Sequence, residues 1–330
     1  MREIYRSLSV IKLQQLLHIL PLNTVEYACA YGSGAVPQGS NGTFGKMIDL
    51  LVVTRDSSRF HQQNLEMNPR HYSSLRFLGY ESISQLQKEY AARVYCNTHL
   101  CFFQDQIMKY SVIDVEDLLL DLTEWRWLYV AGRLHKYVID VINPSSKISS
   151  AIEKNRWSAL QAALLFLPDK FTLLQLYEEL ISLSYRGDFR MVFGEDKNKI
   201  KGIAVGSKAQ LNQIYIPLLK ADTDVSLKND IVEQDTSDYI FSKRILNLPL
   251  NVLWNLQKKL NKNGVQRDIE DISLSLARQL YGTKSVAEAI EDIVRRSAWQ
   301  QTVKNALSAG VTRSIVYSFT KIIKMIQSMK

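Results

Sequence analysis

The chain has 330 residues, 46% of them apolar and 22% charged. That balance excludes global disorder and leaves room for about two domains at ~100–200 residues each. Its 14 Gly and seven Pro exclude a collagenous or linker-like chain. Three Cys (Cys29, Cys96, Cys101), none in a CxxC, argue against a disulfide framework and a zinc ribbon, and so for a reducing compartment. Basic residues number 41 against 33 acidic, a net +8. The excess points to polyanionic partners: nucleotides, nucleic acid or an anionic membrane surface. No apolar run approaches the ~18 residues needed to span a bilayer, so any work on lipid is done from the surface.

In chain order, the amino terminus is basic and amphipathic, with Ile4, Leu8, Ile11, Leu16 and Ile19 roughly on one helical face. It reads as an ordinary first helix. A transit peptide fits only weakly, because Glu3 interrupts Arg2, Arg6, Ser7 and Ser9. Val25–Tyr31 is β-prone and ends at Gly32-Ser33-Gly34. A long Gly/Ser/Asn/Pro loop follows to Gly45, and Met47–Val53 is a second β-prone run. Residues 56–90 read as helical with a break at Pro69, and Arg93–Phe103 with Gln106–Ile113 as another strand pair. Leu118, Leu122, Trp125 and Tyr129 predict a helix from Val115 to Arg133 whose aromatics pack the core. Asn143-Pro144-Ser145-Ser146 is a linker candidate. Residues 147–184 read as two helices broken at Pro168, residues 222–240 as loop, and the chain from 247 onward as helical. No internal repeat is present.

The first constellation able to carry chemistry is Tyr31-Gly32-Ser33-Gly34 followed by Asp49. Glycines after a strand let backbone amides approach a phosphate, and the Ser33 hydroxyl adds a donor. A carboxylate on the neighbouring strand can hold Mg²⁺ against the same phosphates. Nucleotidyltransferases of the DNA polymerase beta superfamily are built this way. They usually carry a second carboxylate two residues on, on the same strand face; here that position is Leu51. On this short motif alone a hairpin loop with a solvated Asp is the favoured reading.

A longer match extends the pattern. AYGSG (30–34), KMIDLLVV (46–53), LRFLG (75–79), IMKYSVI (107–113), WLYVAGRLHK (127–136) and YRGDFRMVFGEDKNK (185–199) occur in this order. With them the chain resembles the mitochondrial translocator assembly and maintenance proteins, which are peripheral phosphatidate cytidylyltransferases (CDP-diacylglycerol synthases). The resemblance runs from about residue 27 to 200. It implies an α+β fold: a nucleotidyltransferase domain over 1–114, a winged-helix-like domain over 115–220, and a helical region over 221–330. It implies CTP and phosphatidic acid as substrates, Mg²⁺ as cofactor, no nucleic-acid partner, and a matrix-side, peripheral place on the mitochondrial inner membrane (the cytoplasmic membrane face in a bacterium). The product would feed phosphatidylglycerol and cardiolipin synthesis.

On that resemblance, Tyr31, Gly32, Ser33, Arg133, Lys136, Arg190 and Lys197 are expected to bind the nucleotide. Asp49, Lys109 and Asp188 are the catalytic candidates. Asp49 is the metal ligand, with Asp188, Glu195 and Asp196 as candidates for the second. Lys109 could instead be a surface Lys on an edge strand, and Arg133 and Lys136, three apart, a solvated helical face. The 187–190 and 194–197 runs could be two polar turns. The acceptor is a phosphate monoester with a second pKa of ~6, so it is mostly a dianion at neutral pH and needs no general base. His61 and His71, ten apart, make no metal pair and are expected to be structural.

Ile315, Phe319, Ile322, Ile326 and Met329 form one stripe beside Arg313, Lys321, Lys324 and Lys330. An amphipathic helix at 311–330 resting on an anionic membrane is expected, with docking on the protein's own core as the alternative. Two other functions stay open: nucleotidyl transfer to another acceptor such as RNA, and a non-catalytic membrane-associated assembly factor, for which Leu51 is the best support.

Overall fold

The computed structural model describes residues 11–309 apart from 38–42, 44, 103–105, 194–197, 262–265 and 280. Ile4, Leu8, Glu195, Asp196, Lys197 and the expected helix at 311–330 lie outside the described residues. Helix α1 (residues 11–17) and the turn after it bury Leu13, Leu16, Leu17 and Leu20, whereas Ile11 is 51% exposed. Of the expected face, Leu16 is buried and Ile19 packs against the same cluster, and the buried stripe runs through 13, 16, 17 and 20. It has the i, i+3, i+4, i+7 spacing that a helix needs to cover a sheet.

Strands β1 (Val25–Tyr31), β2 (Ile48–Thr54), β3 (Tyr95–Phe102), β4 (Gln106–Asp114) and β5 (Ile139–Ile142) form one sheet in the order β3-β4-β2-β1-β5. Only β2 and β4 pair in parallel. Helices α2 (Ser57–Met67) and α3 (Gly79–Glu89) make the β2-to-β3 connection, with the Pro69 break between them. Because side chains alternate along a strand, the sheet serves two cores. Ala28, Ala30, Leu50, Val52, Met108 and Val112 pack with the α1 leucines and Phe60 of α2. Tyr27, Cys29, Leu51, Val53 and Ile113 face the helical remainder of the chain.

Helix α4 (Val115–Glu124) stops nine residues before the expected Arg133, and a four-residue helix α5 (Ala131–Leu134) follows. Trp125 obeys the helical spacing, but its φ of 53° is left-handed and ends the helix. Its indole N–H donates to Asn155 Oδ1 at 2.8 Å. The chain then runs through α6 (Ser146–Leu164), β6 (Lys170–Thr172), α7 (Leu173–Ser182), α8 (Arg190–Phe193), α9 (Lys199–Gly206) and α10 (Lys208–Ala221). The expected loop at 222–240 is instead a hairpin, β7 (Val225–Lys228) and β8 (Ile231–Gln234), leading into α11 (Asp238–Leu246). Asn229 and Asp230 both have positive φ, the condition for a two-residue hairpin turn. Helices α12 (Leu250–Leu260), α13 (Ile269–Ala277) and α14 (Gly282–Ala309) complete the chain.

The second sheet has the order β6-β8-β7. Both sheets run across the expected domain limits: β5 lies beyond 114 and joins the first sheet, while β7 and β8 lie beyond 220 and join β6. The 143–146 segment is a tight strand-to-helix connection between β5 and α6 rather than a linker. The last helix returns to the first sheet. Gln301 bonds Ala92 N–H (3.2 Å) and the Val94 carbonyl (3.0 Å), and Lys304 Nζ donates to the carbonyls of Gln87 (3.1 Å) and Tyr90 (2.9 Å).

His61 is structural, as expected. Its ring is fully buried, 2.8 Å from Tyr72 OH and 2.9 Å from Gln87 Oε1. Burial lowers its pKa from 6.5 to about 4. The unfolded chain therefore takes up this proton first on acidification. The stability that neutral His61 confers is complete above pH 6.5 and is lost as pH falls toward 4, up to about 3 kcal/mol. Urea unfolding at a series of pH values should show that slope, and His61→Gln should flatten it.

Candidate active site

Strand register sets the first part of the site. Tyr31 pairs with Asp49 across β1 and β2, and Asp49 pairs with Lys109 across β2 and β4. Asp49 shares its face with Leu51 and Val53, so this three-strand row looks toward the helical half. Lys109 lies on an interior strand, not an edge, and its Nζ is 3.8 Å from Asp49 Oδ1. Burial works against the Lys109 ammonium, but Tyr31, Cys96 and Asp49 outweigh it and hold its pKa well above the usual value.

The Gly-Ser bend sits on this row. Gly32 has φ +75°, and a Cβ there would lie 2.8 Å from Asp49 Oδ2. Only a residue without a side chain leaves that flank of the carboxylate open. A Cβ on Gly34 would fall 2.1 Å from the Met47 carbonyl, so the bend folds back onto the approach to β2. Leu51, two residues after Asp49 on the same strand face, is 1% exposed and sealed in the core.

The second part is presented by the segment after α4. Asp121, 1% exposed, accepts five backbone N–H groups: Trp127 (2.9 Å) and Leu128 (2.7 Å) on Oδ1, and Tyr129 (3.1 Å), Val130 (2.8 Å) and Ala131 (3.0 Å) on Oδ2. Burial raises its pKa, and the amides act against that rise. The segment so wrapped carries Tyr129 and Arg133. The Arg133 guanidinium lies 3.9 Å from the Tyr129 ring centroid and 5.5 Å from that of Tyr31, and it donates to the Tyr129 carbonyl. Burial raises the Tyr31 phenol to about 12, so it faces Arg133 as a neutral ring.

Arg133 and Lys136 do not share a solvated helical face, because α5 ends between them. Lys136 Nζ donates to Ser184 Oγ at 2.7 Å and sits 4.1 Å from the Tyr185 ring centroid, over which Lys199 Nζ also lies at 5.1 Å. A Cβ on Gly132 would come within 2.4 Å of Ser184 Cβ, so this glycine allows the approach. Burial lowers the Lys136 pKa to about 8; Tyr185 counters it, while Arg133 and Lys199 reinforce it.

Arg190 interacts electrostatically with Tyr129 and Arg133. Asp188, 4% exposed, holds it through Nε–Oδ1 (2.9 Å) and Nη2–Oδ2 (2.6 Å) and accepts the Arg190 backbone N–H at 3.0 Å. Both oxygens of Asp188 are thus committed to the arginine. Among the described residues no group of three or more His, Cys, Asp or Glu could hold a metal.

The outcome is a chain of neighbouring cations, Lys109, Arg133, Lys136, Lys199 and Arg190, against the carboxylates of Asp49 and Asp188. Tyr129, Tyr185, Ser184 and Lys199 escape a reading of the sequence as site residues. The 127–136 and 185–199 motifs contain Tyr129, Tyr185 and Lys199 and stop one residue short of Ser184, and they do not say which side chains meet.

Such an arrangement suits a polyphosphate. A family described as "Phosphatidate cytidylyltransferase, mitochondrial" matches residues 13–324. Curated relatives bearing that name include proteins from Caenorhabditis briggsae and Caenorhabditis elegans, each 45% identical over 96% of this chain and 98% of the relative. The Drosophila melanogaster protein is 39% identical over 91% and 94%. The chain belongs to the mitochondrial phosphatidate cytidylyltransferase family.

Asp121→Asn places an amide against five N–H donors and removes the charge they serve. It should lower stability by about 3 kcal/mol or more, read as the shift in urea midpoint with m unchanged.

Proposed function

We propose that this chain joins CTP to phosphatidate, giving CDP-diacylglycerol and pyrophosphate. The observation that carries the reading is the Tyr31–Asp49–Lys109 row beneath Gly32, with Arg133 stacked beside it. The layout fits a polymerase beta-like nucleotidyltransferase domain. The order α6-β6-α7, then α10-β7-β8, with sheet order β6-β8-β7, fits a winged helix.

In this reaction a phosphatidate oxygen forms a bond to the α-phosphorus of CTP. The bond from that phosphorus to the α,β-bridging oxygen breaks, and its electron pair leaves with pyrophosphate. The acceptor, with a second pKa of ~6, is already a dianion for the most part, so no side chain has to remove a proton. What the protein must supply is positive charge, because two anions have to meet and the leaving group gathers more. Gly32 and Ser33 cradle the triphosphate, Lys109, Arg133 and Lys136 neutralise it, and Arg190, held by Asp188, adds positive charge beside them.

Mg²⁺ fits Asp49. The flank kept open by Gly32 leaves Oδ2 available, and one carboxylate plus substrate oxygens and water is a common way to hold this ion. When bound, it neutralises phosphate charge and polarises the reacting phosphoryl group. The relatives' names place them in mitochondria. Among the described residues no helix is long and apolar enough to cross a membrane. We place this chain peripherally on the matrix side of the inner membrane.

Purified chain with CTP, Mg²⁺ and phosphatidate vesicles should release pyrophosphate, and Asp49→Ala should lower the rate at least about a hundredfold. Release with RNA in place of lipid, or with no acceptor tried, overturns the reading.

Lys136 gives a pH signature. It is charged below its pKa of about 8 and neutral above it. kcat/KM for CTP should therefore fall between pH 7 and 9. In Lys136→Arg, which stays charged, that alkaline limb should disappear.

A further inference from the structure

The arm that carries Arg190 rests on the last helix. Gly187 has φ +72°, and a Cβ there would lie 2.7 Å from the Glu291 carbonyl of α14. Phe189, between Asp188 and Arg190 in sequence, meets the Trp299 indole edge-on, with ring centroids 5.4 Å apart. Helix α14 turns Gln301 and Lys304 inward to the approach to β3. It leaves Trp299, Val303 and Leu307 60%, 45% and 65% exposed. At a spacing of four these three form one stripe, about 12 Å long by helical rise.

A stripe of large apolar side chains left in water marks a surface that something covers. One end of this stripe touches Phe189, the residue before the Asp188-held Arg190 in sequence, and the rest of it is apolar. Phosphatidate has the same polarity: a dianionic phosphate at one end, then glycerol, then two acyl chains.

We propose that Arg190 receives the acceptor phosphate, and that the strip Phe189–Trp299–Val303–Leu307 carries the glycerol and acyl chains of the same molecule. This rests on the cytidylyltransferase reading above. The strip makes the site selective for lipid acceptors, because a bare phosphate monoester gains nothing from it.

The test uses the full chain and the double variant Val303→Ser/Leu307→Ser, both at exposed positions. Pyrophosphate release is measured with dioleoyl phosphatidate in mixed micelles and with water-soluble dibutyryl phosphatidate. The variant should raise KM for the dioleoyl acceptor roughly tenfold. KM for the dibutyryl acceptor, KM for CTP and the melting temperature should stay as in the parent. Trp299→Ala should act in the same direction. An equal rise on both acceptors, or no rise on either, overturns the assignment. So does a loss that follows vesicle co-sedimentation alone, since the strip would then be a bilayer-docking surface. A parent chain that releases no pyrophosphate with either acceptor defeats the reaction itself, a different result from any of these.

Discussion

One buried carboxylate organises the helical side of the site. Asp121 takes five consecutive amides, from Trp127 to Ala131, in the place where α4 could have continued. A charge hidden from water is tolerated only when its lone pairs are filled, and here the backbone fills them. The chain gains a fixed turn that leaves Trp125 in the left-handed region and projects Tyr129 and Arg133 toward the β1–β2–β4 row.

The site also shows how like charges can be kept close without cancelling them. Arg133 rests against Tyr129 and Tyr31, and Lys136 and Lys199 share Tyr185. Ring faces attract cations but carry no net charge, so the positive potential survives for an incoming anion. Carboxylates there would have satisfied the cations and closed the site. The low pKa of Lys136 comes first from burial, and the neighbouring charges of Arg133 and Lys199 add to it.

Much of the sheet side was legible in the sequence. Two β-prone runs around a Gly-Ser bend are enough to pair Tyr31 with Asp49, and the two-residue strand period puts Leu51 on the same face. The helical side was not legible, for three physical reasons. Trp125 and Tyr129 continue the spacing of Leu118 and Leu122, and nothing local reveals that Asp121 will capture the amides. Lys136 finds Ser184 across 48 residues, a contact that depends on Gly132 having no side chain. Strands β7 and β8 are four residues each, half exposed, and joined by Asn229-Asp230 rather than the more telling Asn-Gly, so their composition reads as loop.

The attachment of α14 to the approach to β3 bears on how the molecule is assembled. β3 is the outer strand of the first sheet, and the side chains that secure its flank, Gln301 and Lys304, are made more than 200 residues later. During synthesis the nascent sheet therefore waits with an unprotected border, the situation in which strands pair with the wrong neighbour. Closure of that border is a late event, set by the arrival of α14, and the slow step in folding is expected to be this long-range docking rather than formation of either sheet.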